Sequence, residues 1–161
     1  MLVQDPIPIN LRSLGKVKSM ACGLSHTVLL AESGLVFTVG DNSFGQLGVP
    51  FTQKSSSSSP LMVPGLAPRA GKAAAEVYCA DNASFALLRA TDRPDVSDEL
   101  YSWGISVHGI LGRQSVSGAP AKVEFGKKEC LKISTVAIGA GHAAMATKEH
   151  QVFFWGDNSA G

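Results

Sequence analysis

Apolar residues in this chain come in short runs, and nearly every run is closed by Gly, Pro, Asn, Asp or Ser. Each run is about 4–6 residues long, which is strand spacing. None reaches the ten or more residues with a 3.6-residue stripe that an amphipathic helix needs. The pattern predicts many short strands joined by tight turns.

The runs repeat. Met20 to Leu30, continuing through Gly34-Leu35-Val36-Phe37-Thr38-Val39-Gly40-Asp41-Asn42-Ser43-Phe44-Gly45, matches Val136 to Gly161 without a gap at a shift of 116. His26 falls on His142, Gly23 on Gly139, Gly40 on Gly156, Asn42 on Asn158 and Gly45 on Gly161. A weaker copy lies midway, at a shift of 58: Cys79-Ala80-Asp81-Asn82-Ala83-Ser84-Phe85, with Ser84 in the place of the His. After an insertion within Arg89 to Glu99 it resumes as Leu100-Tyr101-Ser102-Trp103-Gly104 and ends at Gly112. A Pro-led segment precedes each copy, beginning at Pro8, Pro60 and Pro120. Four antiparallel strands per unit at this period is the pattern of a propeller blade. The expected fold is all-β: a partial β-propeller of about three four-stranded antiparallel blades, with units at about 8–48, 60–112 and 120–161, the last incomplete.

The recurring residues have structural readings. Gly40, Gly104 and Gly156 follow the last strand of each unit, where the backbone turns with φ > 0. Asn42 and Asn158 suit the same turn. Trp103 and Trp155 end a strand where a ring can cover the joint between blades, each worth about 2–3 kcal/mol when buried. Val39 holds that place in the first unit. His26 and His142 read as structural histidines that bond a nearby backbone carbonyl, because catalytic groups need not recur in every blade.

The string Ala21-Cys22-Gly23-x-x-His26-Thr27, then Gly34-x-Val36-Phe37, then Gly40-x-Asn42-x-x-Gly45-Gln46-Leu47-Gly48, resembles the regulator of chromosome condensation repeat. Trp155-Gly156-Asp157-Asn158 is similar to the same motif. The resemblance implies a segment of a seven-bladed type of propeller. It also implies roles typical of that family: exchange factor for a small GTPase, docking platform, or module of a larger regulator. Those roles reside in loops outside the motif, so the fold carries over and no site does. Three units do not close a seven-bladed ring. The isolated segment is therefore expected to aggregate, oligomerise or need a partner.

Composition narrows the function classes. Hydrophobic residues make up 45% and charged residues 17%, a foldable mixture, and the 17 glycines fit frequent turns. A net charge of +1 supplies no field to recruit nucleic acid or an anionic membrane. Lys127-Lys128 is too short a basic run to change that. Cys22, Cys79 and Cys130 are odd in number and lack C-x-x-C spacing, so they read as free thiols. With no signal peptide or spanning run apparent, the expected location is intracellular, cytoplasmic or nuclear.

Candidate chemistry is sparse. Gly139-Ala140-Gly141-His142-Ala143-Ala144 fits a loose dinucleotide pattern, but a strand is expected where that fingerprint needs a helix. His108 and His150 stand apart from any nucleophile. Asn82-Ala83-Ser84 matches a glycosylation acceptor that an intracellular chain would not use. Ser55 to Ser59 reads as a flexible polar connection between units, with phosphorylation as the alternative. The insertion carrying Asp92, Arg93, Asp95, Asp98 and Glu99 is the leading partner-contact loop. No catalytic, cofactor or metal site is expected. The expected function is a non-enzymatic interaction scaffold or assembly subunit, with part of a GTPase exchange factor as the alternative. The expected partners are other proteins, including segments that complete the propeller.

Overall fold

A computed structural model describes residues 11, 14–50, 55–69, 71–90, 92–105, 107–114, 118–126 and 130–159. Pro8 to Asn10, Lys127-Lys128 and Gly161 lie outside these residues. The described residues form eleven strands in three antiparallel sheets. Sheet 1 holds β1 (Val17–Cys22), β2 (His26–Ala31), β3 (Val36–Asp41) and β4 (Ser56–Met62), in that order. Sheet 2 holds β5 (Lys72–Ala80), β6 (Ala83–Ala90), β7 (Glu99–Gly104) and β8 (Ala121–Lys122). Sheet 3 has three strands, β9 (Ile133–Ile138), β10 (His142–Thr147) and β11 (Val152–Gly156).

The sequence repeat and the sheets are out of phase by one strand. The segment led by Pro60 does not open sheet 2; it closes sheet 1 by pairing with β3, and Ala121–Lys122 closes sheet 2 in the same way. A chain leaving β3 pairs most directly with the strand it has just formed. Pro60 sits where the β3–β4 register slips, between the pairs Thr38↔Leu61 and Gly40↔Ser57. An edge strand tolerates its missing N–H there. The same pairing overturns the reading of the serine run as a flexible connection. Ser56 to Ser59 are strand residues, and Ser57 is buried with its hydroxyl bonded to Ser59 O at 2.6 Å. Serine polarity mimics a loop in sequence, but an outer strand needs only backbone pairing on one side.

The sheets stack face to face, and the middle one is buried on both faces. Strand alternation sends Phe85 and Leu87 of β6 into a core with Leu100, Ile133, Val136 and Met145. The intervening Ala86 and Leu88 enter a second core with Val28, Leu30, Val36, Val77 and Trp103. Burial on both sides explains why β6 reads as an unbroken apolar run rather than an alternating one.

The third strand of each sheet ends in one recurring turn. The N–H after Gly40 bonds Ser25 O, that after Gly104 bonds Asn82 O, and that after Gly156 bonds Gly141 O. Gly40 has φ of 118°, and a Cβ there would lie 2.4 Å from Ser25 O. Gly40→Ala is expected to cost about 2 kcal/mol, more than Gly65→Ala, whose φ is also positive but whose Cβ would meet open space. Urea melts of the two variants check this.

Candidate functional site

The seam between sheets 1 and 2 is the most polar buried region. His26, at the start of β2, is 4% exposed. Its Nε2 lies 2.7 Å from Ser84 Oγ, and Ser84 Oγ donates to Gln46 O at 2.9 Å. The indole N–H of Trp103 donates to the same carbonyl at 2.9 Å. Because Ser84 spends its proton on Gln46 O, its oxygen accepts from His26 Nε2–H, which fixes the tautomer. His26 Nδ1 is buried without a hydrogen-bond partner, with the ring packed against Gly23.

His26 has as its partner a side chain of the next sheet, in place of the backbone carbonyl that the sequence predicts. Its alignment with Ser84 also needs correcting. His26 pairs with Gly40 and His142 with Gly156; in sheet 2 the residue paired with Gly104 is Ala83. Ser84 is one residue on and faces the opposite way, toward His26. A two-residue turn at Asp81-Asn82 replaces the three-residue turn at Gly23 to Ser25, and a one-residue slip exchanges faces.

Burial pushes the His26 imidazole down to about 4, only partly offset by Asp41. The folded ring stays neutral while the unfolded ring protonates near 6.5. Between those values the unfolded chain binds more protons, so stability falls as pH drops through that window and is insensitive to this group above it. After allowance for solvent screening the loss is about 2 kcal/mol. Subtracting the pH–stability profile of His26→Gln from that of the native chain should reveal it.

The second seam repeats the tryptophan and loses the polar relay. Trp155 Nε1 donates to Ile110 O at 2.7 Å, as Trp103 does to Gln46 O. Gly48 and Gly112 make room for these indoles, since a Cβ on either would meet the ring at about 3 Å. Residues 36–48 match 100–112 at a constant shift of 64, so Ile105 stands for Asp41 and Ile110 for Gln46. Ala83 replaces the histidine, and Ala143 replaces its serine partner. The seam encloses a cavity of about 260 Å³ lined by Ala83, Ile105, Val107, Ile110 and Ala140, with Asp81, Asn82 and His108 at its edge. Sequence reading missed it; the shift of 64 was the signal.

The insertion between β6 and β7 holds sheets 2 and 3 together. Asp98 is 3% exposed; its carboxylate accepts Ile133 N–H at 2.9 Å and Arg89 at 3.0 Å. Lys132 Nζ reaches Val96 O, Leu131 N–H reaches Ser97 Oγ, and Asp98 N–H reaches Leu131 O. Glu99 pairs with Lys72 at 2.8 Å. Asp92, Arg93 and Asp95 are the exposed members, and Arg93 holds the Asp95 carboxyl down to about 2. Of the candidate contact residues, then, Asp98 and Glu99 face inward contacts and the other three face solvent.

The remaining positions resolve simply. Cys22, Cys79 and Cys130 are free thiols, and burial pushes Cys79 up to about 12. Gly139 to Ala144 leads into strand β10, not a helix, so the dinucleotide pattern fails. Ser84 of the glycosylation triplet is wholly buried. Among the described residues no three His, Cys, Asp or Glu cluster as a metal site, and no helix is long and apolar enough to cross a membrane.

Comparison with known proteins decides the family. The regulator of chromosome condensation (RCC1) repeat matches residues 33–87 and 97–146, and a second profile of the same repeat matches 17–46. The chain belongs to the RCC1 repeat family. Human Protein RCC2 is 27% identical over 87% of the chain, and human Probable E3 ubiquitin-protein ligase HERC3 is 32% identical over 90% of it. The chain spans 29% of the length of that RCC2 and 13% of HERC3. Among solved structures, that of Kap60 bound to yeast RCC1 (Prp20) matches with a TM-score of 0.70 at 26% identity, over 91% of this chain and 33% of the matched one. Human WBSCR16 matches at 0.68 and 27%, over 88% and 33%. The RCC1 repeat thus accounts for the antiparallel propeller sheets.

Proposed function

We propose that this RCC1-repeat segment is a non-enzymatic protein-interaction scaffold or assembly subunit working inside the cell. The observation that carries this reading is the outer face of sheet 3. In sheet 1 the positions of Val28, Leu30, Val36 and Thr38 are buried against sheet 2. Their counterparts 116 residues on are Ala144, Ala146, Val152 and Phe154. Phe154 is 77% exposed and Val152 56%. Register that seals one blade onto the next is here presented to solvent, which suits docking of a further blade or another protein surface. The free side of sheet 1 adds exposed Met20 and Met62.

Light scattering tests this. The isolated chain is expected to self-associate, and Phe154→Glu is expected to reduce that association. A monodisperse, cooperatively melting native monomer would overturn the reading.

Action on a small GTPase is the second reading. One solved relative, 26% identical with a TM-score of 0.68, is described by its binding to Gsp1p and histones. Accelerated release of labelled GDP from a panel of small GTPases, compared with intrinsic release, would favour it.

A further inference from the structure

The cavity at the second seam opens on the end of the stack that carries the turns after β1, β5 and β9. Its position is that of the polar cluster of the first seam. There His26, Asp41 and Gln46 fill the space, with Gln46 Nε2 donating to Asp41 at 2.7 Å and reaching Asn82 Oδ1 at 3.5 Å. Here Ala83, Ile105 and Ile110 hold the equivalent places, and Gly141 stands where Asn82 stood. Exchange of a hydrogen-bonding set for small and aliphatic residues leaves an apolar hollow. Its volume of about 260 Å³ lies below the roughly 300–1,000 Å³ of sites that enclose a whole small molecule. It suits one bulky side chain.

The carboxylates and two imidazoles, His108 and His142, set the charge around the opening, with no free Lys or Arg among the described residues there. Asp41, Asp81 and Asp157 lie at this end, next to the strand-end turns. Among the described residues the only Lys or Arg at this end is Arg113. It is turned inward, donating to Ser102 O at 2.8 Å and Ala119 O at 3.2 Å. The other nine described Lys and Arg, Lys18 near Glu76 and Lys122 near Glu99 among them, lie toward the opposite end. Asp81 is exposed at the cavity edge, and Asp157 lies beside Gly141 of the lining. Ser159 holds the Asp157 carboxyl below its ordinary range, with His108 and His142 adding to this, so it is ionised at neutral pH.

We infer that the seam between sheets 2 and 3 is a docking site for a basic peptide segment, which seats one bulky apolar side chain in the hollow and sets flanking Lys or Arg against Asp81 and Asp157. The inference rests on the scaffold reading and names the partner chemistry of one site. It uses a different surface from the sheet face tested above, so either test can fail alone. The occupant is a peptide rather than a nucleic acid, because the rim is acidic.

The probe is an acetylated, amidated pentapeptide Gly-Arg-Leu-Arg-Gly titrated into the full chain labelled with ¹⁵N. Amide shifts at Ala83, Ile105, Ile110 and Ala140 are expected, saturating in the millimolar range. Changing the peptide Leu to Ala should weaken binding at least tenfold, the loss of buried apolar area. Asp81→Asn should weaken it about threefold and lessen its salt dependence. Ala140→Phe, at a turn position where the first blade carries the exposed Leu24, should narrow the mouth without disturbing the fold. It should weaken binding at least fivefold while the rest of the amide spectrum stays native. Equal binding of Gly-Glu-Leu-Glu-Gly, shifts centred away from these four amides, or no shifts at 5 mM peptide (roughly the weakest affinity worth calling a site) would each overturn the inference.

Discussion

Trp103→Ala is expected to lower stability by about 4 kcal/mol, the largest loss from any single truncation in the chain. The ring is wholly buried, in the core that joins Val28, Leu30 and Val36 of sheet 1 to Ala86 and Leu88 of sheet 2. Its removal leaves a cavity that backbone glycines line at Gly48, where collapse is restricted. It also removes one of the two donors to Gln46 O, leaving only Ser84 Oγ. Trp103→Phe keeps most of the area and forfeits the bond, so about 1–2 kcal/mol should be lost. Trp155→Ala should cost less than Trp103→Ala, since Trp155 is only half-buried, against Phe125 at 5.6 Å. Urea denaturation gives all three values. A Trp103→Ala variant within 1 kcal/mol of the native chain would show that the seam does not hold the two sheets together.

That tryptophan was legible in the sequence because its position is set by local pattern. A strand of known period ends at a glycine, and a large ring just before that glycine can face only the neighbouring unit. The same logic recovered the all-β class and its three antiparallel sheets. Two features were not legible, for related reasons. Strand pairing is non-local: nothing in Pro60-Leu61-Met62 says whether it closes one sheet or opens the next, and the outcome depends on the path of the chain after Gly48. Facing is set by parity: Ser84 aligns with His26 at a shift of 58, yet a turn shorter by one residue points it toward that histidine. The relay of His26, Ser84 and Gln46 is a contact between repeats, so aligning repeats to each other hides it. The cavity is hidden differently. It arises from several substitutions on three segments that only the fold brings together, each unremarkable alone. The serine run misled because polarity was read as looseness, whereas an outer strand asks little of its side chains.

Asp98→Ala is expected to cost about 3 kcal/mol, nearly as much as a core truncation, although Asp98 lies in an insertion that its composition marks as a solvated loop. The carboxylate is almost fully buried and binds across the seam, to the Ile133 amide of sheet 3 and the Arg89 guanidinium of sheet 2. Arg89 also donates to Ile133 O at 2.6 Å and pairs with Glu76 at 2.9 Å, and Lys132 stands 3.8 Å from Asp98. Removing the carboxylate leaves a buried amide without its acceptor and takes one counter-charge from two cations, the situation in which losing one partner costs far more than the pair contributed. Asp98→Asn keeps the shape and one acceptor, and should recover about half. The buried position predicts that the loss changes little between low and high salt. Asp95→Ala, a few residues away in the same insertion, removes an exposed pair with Arg93 and should leave the melt unchanged. Exchange of the Ile133 amide with deuterium should speed up in Asp98→Ala and not in Asp95→Ala. If the two variants behave alike, the insertion is a free loop and the strap between sheets 2 and 3 is not formed. If they differ as expected, a structural clasp and a solvent-facing segment share the same eight residues, with Asp98 and Glu99 anchoring the stretch that holds the exposed Asp92, Arg93 and Asp95.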